Sequence, residues 1–221
     1  LVRRGWILKE GYPFIAPPVL VSVAGFVLGW SWVGWLGLLL AAAVALFFRN
    51  PPRRPLQDDR LALAPADGRV VEVRREGENG GLKISIFMSV FNVHVNRSPV
   101  RGRVVELRHY PGRFRPAHRA EASEGNERLV MGLAMEDGRR VTCVQVAGIL
   151  ARRIVSWVKE GTVLSMGEPF GMIRFGSRVD CYFPPGFDPD VREGQRVWAG
   201  ETVIGYFLLK EKPGERPPDR S

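Results

Sequence analysis

The stretch RVVEVRREGENGGLKISIF, residues 69–87, decides how this chain folds. On either side of its glycines, apolar and polar residues alternate: Arg69-Val-Val-Glu-Val-Arg74, then Leu82-Lys-Ile-Ser-Ile-Phe87. Successive side chains of a strand point to opposite faces, so this alternation marks half-buried strands rather than a helix. Working outward, the pattern returns at Arg103-Val-Val-Glu-Leu107, Arg140-Val-Thr-Cys-Val-Gln-Val146 and Val179-Asp-Cys-Tyr-Phe183. Residues 61–209 therefore read as a mainly β, largely antiparallel domain. Ala147 to Val158 (AGILARRIVSWV) fits a short helix or a strand. Val158-Lys-Glu-Gly161 with Gly167-Glu168 recurs 33 residues later as Val191-Arg-Glu-Gly194 with Gly200-Glu201. Two copies are too few for a solenoid and predict two similar hairpins packed as a pseudo-symmetric pair.

Upstream the composition changes. From Gly11 to Phe48 there is no charged residue, and Tyr12, Trp30, Trp32 and Trp35 punctuate the run. A bilayer core of about 30 Å needs roughly 20 helical residues, so the run is too long for one upright span. Pro17-Pro18 interrupts its first part. One span with an interfacial lead-in and a hairpin turning near Gly29–Gly34 both remain open. Residues 1–54 carry Arg3, Arg4, Lys9, Arg49, Arg53 and Arg54 against Glu10 alone. Basic flanks prefer the cytoplasmic side, and a hairpin keeps both there, so the hairpin is the expected form. A signal peptide fits poorly, because no small-residue cleavage site follows the run.

The expected organisation is a membrane-attachment segment over 1–54, a β-rich domain over 55–209, and a charged, Pro-rich, disordered tail over 210–221. The net charge of +9 suits nucleic acid, an anionic membrane or an anionic substrate. Its bracketing of an apolar run favours the membrane. No nucleic-acid motif is present, and no nucleic-acid partner is expected. Cys143 and Cys181 form no CxxC pair and read as reduced core residues. His94, His109 and His118 lack metal-ligand spacing, so no metal is expected.

Three segments carry candidate chemistry. Ala64-Pro-Ala-Asp67-Gly68-Arg69 places an acid in a turn before a strand. Phe91-Asn-Val-His94-Val-Asn96-Arg97-Ser-Pro99 places a histidine in an apolar strand. Phe170-Gly-Met-Ile-Arg174-Phe-Gly176-Ser177-Arg178-Val-Asp180 places a Gly-Ser pair between strands. Singly, these are an Asp-Gly turn, a structural histidine and another turn. Together and in this order, with AGILARRIV at 147–155, they resemble the short form of the phosphatidylserine decarboxylase family. The resemblance runs from the apolar segment to about Leu208.

That resemblance implies a proenzyme that cuts itself between Gly176 and Ser177. The Ser177 hydroxyl would attack the Gly176 carbonyl, and elimination and hydrolysis would leave a pyruvoyl group from Ser177. Removing a carboxylate from an amino acid leaves charge at Cα, which a carbonyl joined to the substrate amine as a Schiff base can accept. The large chain would be 1–176 and the small chain 177–221, held together as a heterodimer that could associate further. Asp67 and His94 match the family's catalytic acid and histidine. Long-form enzymes carry a second histidine three residues after the first, where this chain has Arg97. His94 is therefore expected to serve both steps, with Asp67 orienting it. Arg174, Arg178 and Arg97 are candidate contacts for substrate phosphate or carboxylate, and Arg152 and Arg153 for lipid headgroups. The implied substrate is phosphatidylserine, converted to phosphatidylethanolamine at the cell membrane by a domain on the cytoplasmic side. A related ether lipid with a serine headgroup, a non-catalytic lipid-binding β domain, or a biotinyl- or lipoyl-like carrier are the competing readings. No lysine sits at a hairpin tip in an attachment motif, which disfavours the carrier.

Overall fold

The computed structural model describes residues 5–76, 80–112, 126–148, 153–174 and 177–208. Gly176, Arg152, His118 and the 210–221 tail lie outside them.

The apolar run forms two helices, α1 (Tyr12–Val27) and α2 (Ser31–Phe47). Gly29 closes the turn between them at φ 76°, which a side chain would resist. The helices touch through small residues: a Cβ on Gly37 would lie 2.7 Å from the Ser22 nitrogen. Ser22 Oγ–H donates across the contact to the Gly34 carbonyl at 2.8 Å. Small residues and a hydroxyl bond at the seam are how helices associate without water. The outward faces carry Leu20, Leu39, Trp32 and Trp35, all exposed. Lys9–Val27, 19 residues including a 3-10 turn, is long and apolar enough to cross a membrane by length and composition. The expected hairpin is thus the observed form.

Among the described residues the β domain holds one eight-stranded antiparallel sheet and two three-stranded sheets. The large sheet runs β13 (Arg196–Val197), β2 (Gly68–Glu76), β3 (Gly81–Met88), β11 (Ser177–Phe183), β7 (Arg140–Val146), β6 (Arg128–Ala134), β5 (Gly102–Tyr110), β9 (Val163–Leu164). One small sheet is β1 (Leu61–Leu63), β14 (Val203–Phe207), β12 (Phe187–Pro189). The other is β4 (Val95–Arg97), β10 (Pro169–Ile173), β8 (Ile154–Ser156). The ambiguous 147–158 segment therefore contains strand β8, and its residues 149–152 are outside those described. Inward-facing residues such as Ile84, Ile86, Met131, Leu133, Val179 and Phe170 form the main core.

The strand order reads the same from both ends. Cys143 on β7 and Cys181 on β11 face each other at the pivot, free and buried, sulfurs 3.3 Å apart. Gly-Arg-Val-Val-Glu-Val-Arg on β2 (68–74) recurs as Gly-Arg-Val-Val-Glu-Leu-Arg on β5 (102–108). Both strands bulge at the same place, between Val70 and Glu72 and between Val104 and Glu106. Gly194 N–H donates to Val70 O, and Gly161 N–H to Val104 O, each at 2.8 Å. The fold is thus an internal duplication that takes in the paired hairpins of 158–168 and 191–201. Their second turns meet, with a Cβ on Gly200 3.4 Å from the Gly167 Cα. Strands β4 to β10 form one continuous half, inserted between β3 and β11 of the other.

Candidate active site

β10 runs beside β4, and the Ile173 N–H points at the His94 carbonyl at 3.4 Å. Four residues after Ile173 comes Ser177, the first residue of β11, opposite Met88 on β3. A polar ladder ties these strands together. Gln145 Nε2–H donates to Asn96 Oδ1 at 2.7 Å, and Asn96 Nδ2 reaches the Met88 sulfur at 3.5 Å. The segments carrying His94 and Ser177 are therefore held in one neighbourhood by sheet pairing.

Ser177 is fully buried, and its Oγ has no hydrogen-bond partner among the described residues. His94 is also buried, and its Nδ1 lies 2.9 Å from the Asn92 carbonyl. A carbonyl can only accept, so Nδ1 carries the proton and Nε2 is left as a lone pair. That Nε2 is buried without a partner among the described residues. Burial first, and then the nearby Arg49 charge, push the His94 pKa down to about 4 against the Asn92 hydrogen bond. The imidazole is neutral at physiological pH. Buried polar atoms without partners are costly and uncommon, so an unsatisfied hydroxyl and an unsatisfied base in one region mark a chemical site.

The helical hairpin packs onto this site. Phe47, at the end of α2, lies against the His94 ring with centroids 4.3 Å apart. Phe47, Phe48 and Leu8 form a second core with Val93, Val95 and Met172. Beside it an apolar cavity of about 650 Å³ is lined by Phe14, Val44, Phe47, Phe48, Arg49 and Phe91, among others. Arg49 bonds the Leu46 and Phe91 carbonyls at 2.6 and 2.7 Å, and the Arg174 guanidinium lies 5.1 Å from the Phe14 ring centroid.

The family model for phosphatidylserine decarboxylase matches residues 40–205. The chain belongs to the phosphatidylserine decarboxylase family. It is 49% identical over 219 residues to the phosphatidylserine decarboxylase proenzyme of Xanthobacter autotrophicus, covering 95% of this chain and 92% of that one. Against this family background, the chain's own residues depart from several sequence expectations.

Asp67 does not orient His94. Its carboxylate is held by Arg53, whose Nη2 lies 3.0 and 2.8 Å from the two oxygens, and by the Ala199 N–H at 2.8 Å. Burial pushes its pKa up, opposed by those bonds. Arg53 also reaches Glu201 at 2.6 Å. Arg97 does not face a substrate either. It is buried, donating to Gly167 O, Asn50 Oδ1 and Pro51 O at 3.1, 2.8 and 3.2 Å. It thereby ties the linker after α2 to the β domain. Arg178 is buried against Asp180, Nε to Oδ1 2.8 Å, and is likewise unavailable. Arg174 alone of the three stands beside the apolar cavity. Sequence reasoning read Arg49 and Arg53 only as membrane flanks and missed Phe47 altogether. Their partners lie 42, 14 and 47 residues away, beyond the reach of local pattern.

A proenzyme of this family implies a pyruvoyl group. The residues present fit one. Ser177 would supply its three carbons, and its Oγ, which would leave with the upstream chain, has no hydrogen bond to lose among the described residues.

Proposed function

We propose that this chain cuts itself between Gly176 and Ser177 and then decarboxylates phosphatidylserine to phosphatidylethanolamine at a membrane. One observation carries the reading: among the described residues Ser177 Oγ and His94 Nε2 are both buried and unpartnered, and the apolar helical hairpin packs on His94 through Phe47. In the first step His94 Nε2 takes the Ser177 hydroxyl proton as Oγ attacks the Gly176 carbonyl carbon. The Gly–Ser amide C–N bond breaks, its nitrogen gains the proton, and an ester forms. Loss of the Ser177 Cα proton then expels Gly176 as a carboxylate and leaves dehydroalanine. One water converts that to pyruvoyl and ammonia.

The pyruvoyl carbonyl supplies the electron sink for the charge left at substrate Cα when carbon dioxide departs. His94 remains to give or take a proton at that carbon. Phe47 shields it from water, which strengthens electrostatic interactions inside the site. The apolar cavity suits acyl chains, with Arg49 and Arg174 beside it for the phosphate. Asp67 and Arg53 anchor the linker rather than relay a proton. Residues 1–54 attach the protein to the membrane, with 55–209 on the cytoplasmic side as the basic flanks require.

Intact-mass measurement of the purified protein tests this directly. It should give two species divided after Gly176, the smaller with a blocked N-terminus, and release carbon dioxide from phosphatidylserine vesicles. A whole chain that still decarboxylates would overturn the mechanism. A whole, inactive chain would favour the lipid-binding reading.

The pH profile is a second test. A base must be neutral, and lowering pH protonates it. With its pKa near 4 rather than 6.5, His94 keeps its lone pair well into the acid range. Precursor processing, followed on denaturing gels, should stay level from about pH 8 to about pH 5 and fall toward pH 4. A fall centred at 6.5 would point to an ordinary, solvated histidine instead.

A further inference from the structure

The duplicated halves can be compared position by position. β13 pairs with β2 and β9 with β5 in the same register, so Arg196 faces Arg69 where Val163 faces Arg103. Arg69 Nη1–H donates to Gly194 O at 3.1 Å, and its counterpart Arg103 donates to Gly161 O at 3.0 Å. The halves differ in what stands opposite. One carries Val163 and Ser165, while the other carries Arg196 and Trp198.

Two like charges directly across an antiparallel pair weaken a sheet. Arg69 and Arg196 do so inside a cavity of about 650 Å³ whose described lining contains no acidic residue. Ser89 and Asn92 add polar groups to the lining. Two aromatic side chains stand at its rim, Phe91 at 84% and Trp198 at 51% exposure. Phe91 also lines the apolar cavity at the base of the hairpin, so the arginine cleft opens where a bilayer surface would meet the domain. Exposed aromatics beside cations are the expected furniture of that level.

We propose that the Arg69–Arg196 cleft holds the phosphate of an anionic glycerophospholipid other than the substrate, with Phe91 and Trp198 set at the acyl boundary beside it. This rests on the membrane attachment argued above, not on the decarboxylation. The wall that packs on His94 belongs to the other cavity. The cleft meets the His94 loop through Asn92, whose carbonyl accepts from His94 Nδ1–H, and shares Phe91 with the apolar cavity. Ser89 N–H and Oγ–H both bond Asn92 Oδ1, at 2.9 and 2.8 Å, so an occupied cleft would steady the loop that orients the histidine.

The test uses the full chain in neutral-detergent micelles, reading energy transfer from tryptophan to dansyl-labelled phosphatidylglycerol or phosphatidylcholine. Arg196→Val copies the opposite half and removes a like-charge contact, so its melting temperature should not fall. It should bind labelled phosphatidylglycerol at least about tenfold more weakly than wild type and labelled phosphatidylcholine equally. Arg103→Gln, with the same change in net charge, should bind both as wild type does. Equal weakening by Arg103→Gln, or none by Arg196→Val, overturns the site. Competition by soluble glycerol phosphate as effective as by unlabelled lipid would overturn the lipid assignment. The readout needs no decarboxylation, so failure here and failure of the enzymatic reading are distinguishable.

Discussion

Ser177→Ala should give a single uncut chain of about 24.7 kDa and abolish carbon dioxide release from phosphatidylserine. The argument is strong because the side chain does so little for the fold. Ser177 is fully buried and its hydroxyl has no hydrogen-bond partner among the described residues. Removing an unsatisfied buried hydroxyl is close to neutral or mildly stabilising, so the variant should melt no lower than the uncut wild-type chain. Activity, by contrast, should fall by more than about a thousandfold, because the nucleophile is gone and, without Oγ to leave by elimination, no carbonyl can form at Cα. Mass spectrometry and a thermal melt on the same sample separate the two effects. A processed Ser177→Ala chain, or an unprocessed but active one, would remove the basis of the proposed chemistry.

His94→Gln should slow self-cleavage by roughly 10²–10⁴-fold, the usual contribution of a positioned base. Glutamine keeps an amide near the Asn92 carbonyl and much of the ring's volume under Phe47, so packing is spared more than in His94→Ala. What it removes is the Nε2 lone pair. A purely structural histidine would behave in the opposite way, with a lowered melting temperature and an unchanged cleavage rate. Time courses of precursor disappearance, taken beside melting curves, decide between these outcomes. Any residual cleavage in His94→Gln should also lose its fall toward pH 4, since the titrating group is absent.

The architecture was legible wherever local pattern is enough. Alternation at 69–74, 82–87 and 140–146 announces strands, and the uncharged run with Gly29 at its centre announces a helical turn-back. The larger duplication escaped because its matching halves are interleaved. β2 answers β5, while their partners β13 and β9 lie far downstream, so neither the 68/102 match nor the 158/191 repeat shows the whole unit by itself. Ala147–Val158 stayed ambiguous because an edge strand of three residues is too short for periodicity to declare itself.

At the site, sequence motifs singled out residues but not their partners. Nothing near Asp67 in the chain announces Arg53, and nothing near Arg97 announces Asn50 and Gly167. Tertiary packing gives charged groups their assignments, and here it gave two of them to the linker. The same holds for Arg178, whose neighbour Asp180 takes it up two residues along its own strand.

Where Ser177 lies in the topology imposes an order of events. It opens β11, a strand paired on both sides, at the junction where the inserted half returns to the outer one. The proposed break before it would divide the outer half between two polypeptides, leaving β11 to β14 on the shorter. Neither piece then encodes that half by itself. Assembly must be finished while the chain is still one molecule. Once matured, the protein that loses its shape must find its other fragment by collision, so maturation is a commitment that cannot be rehearsed.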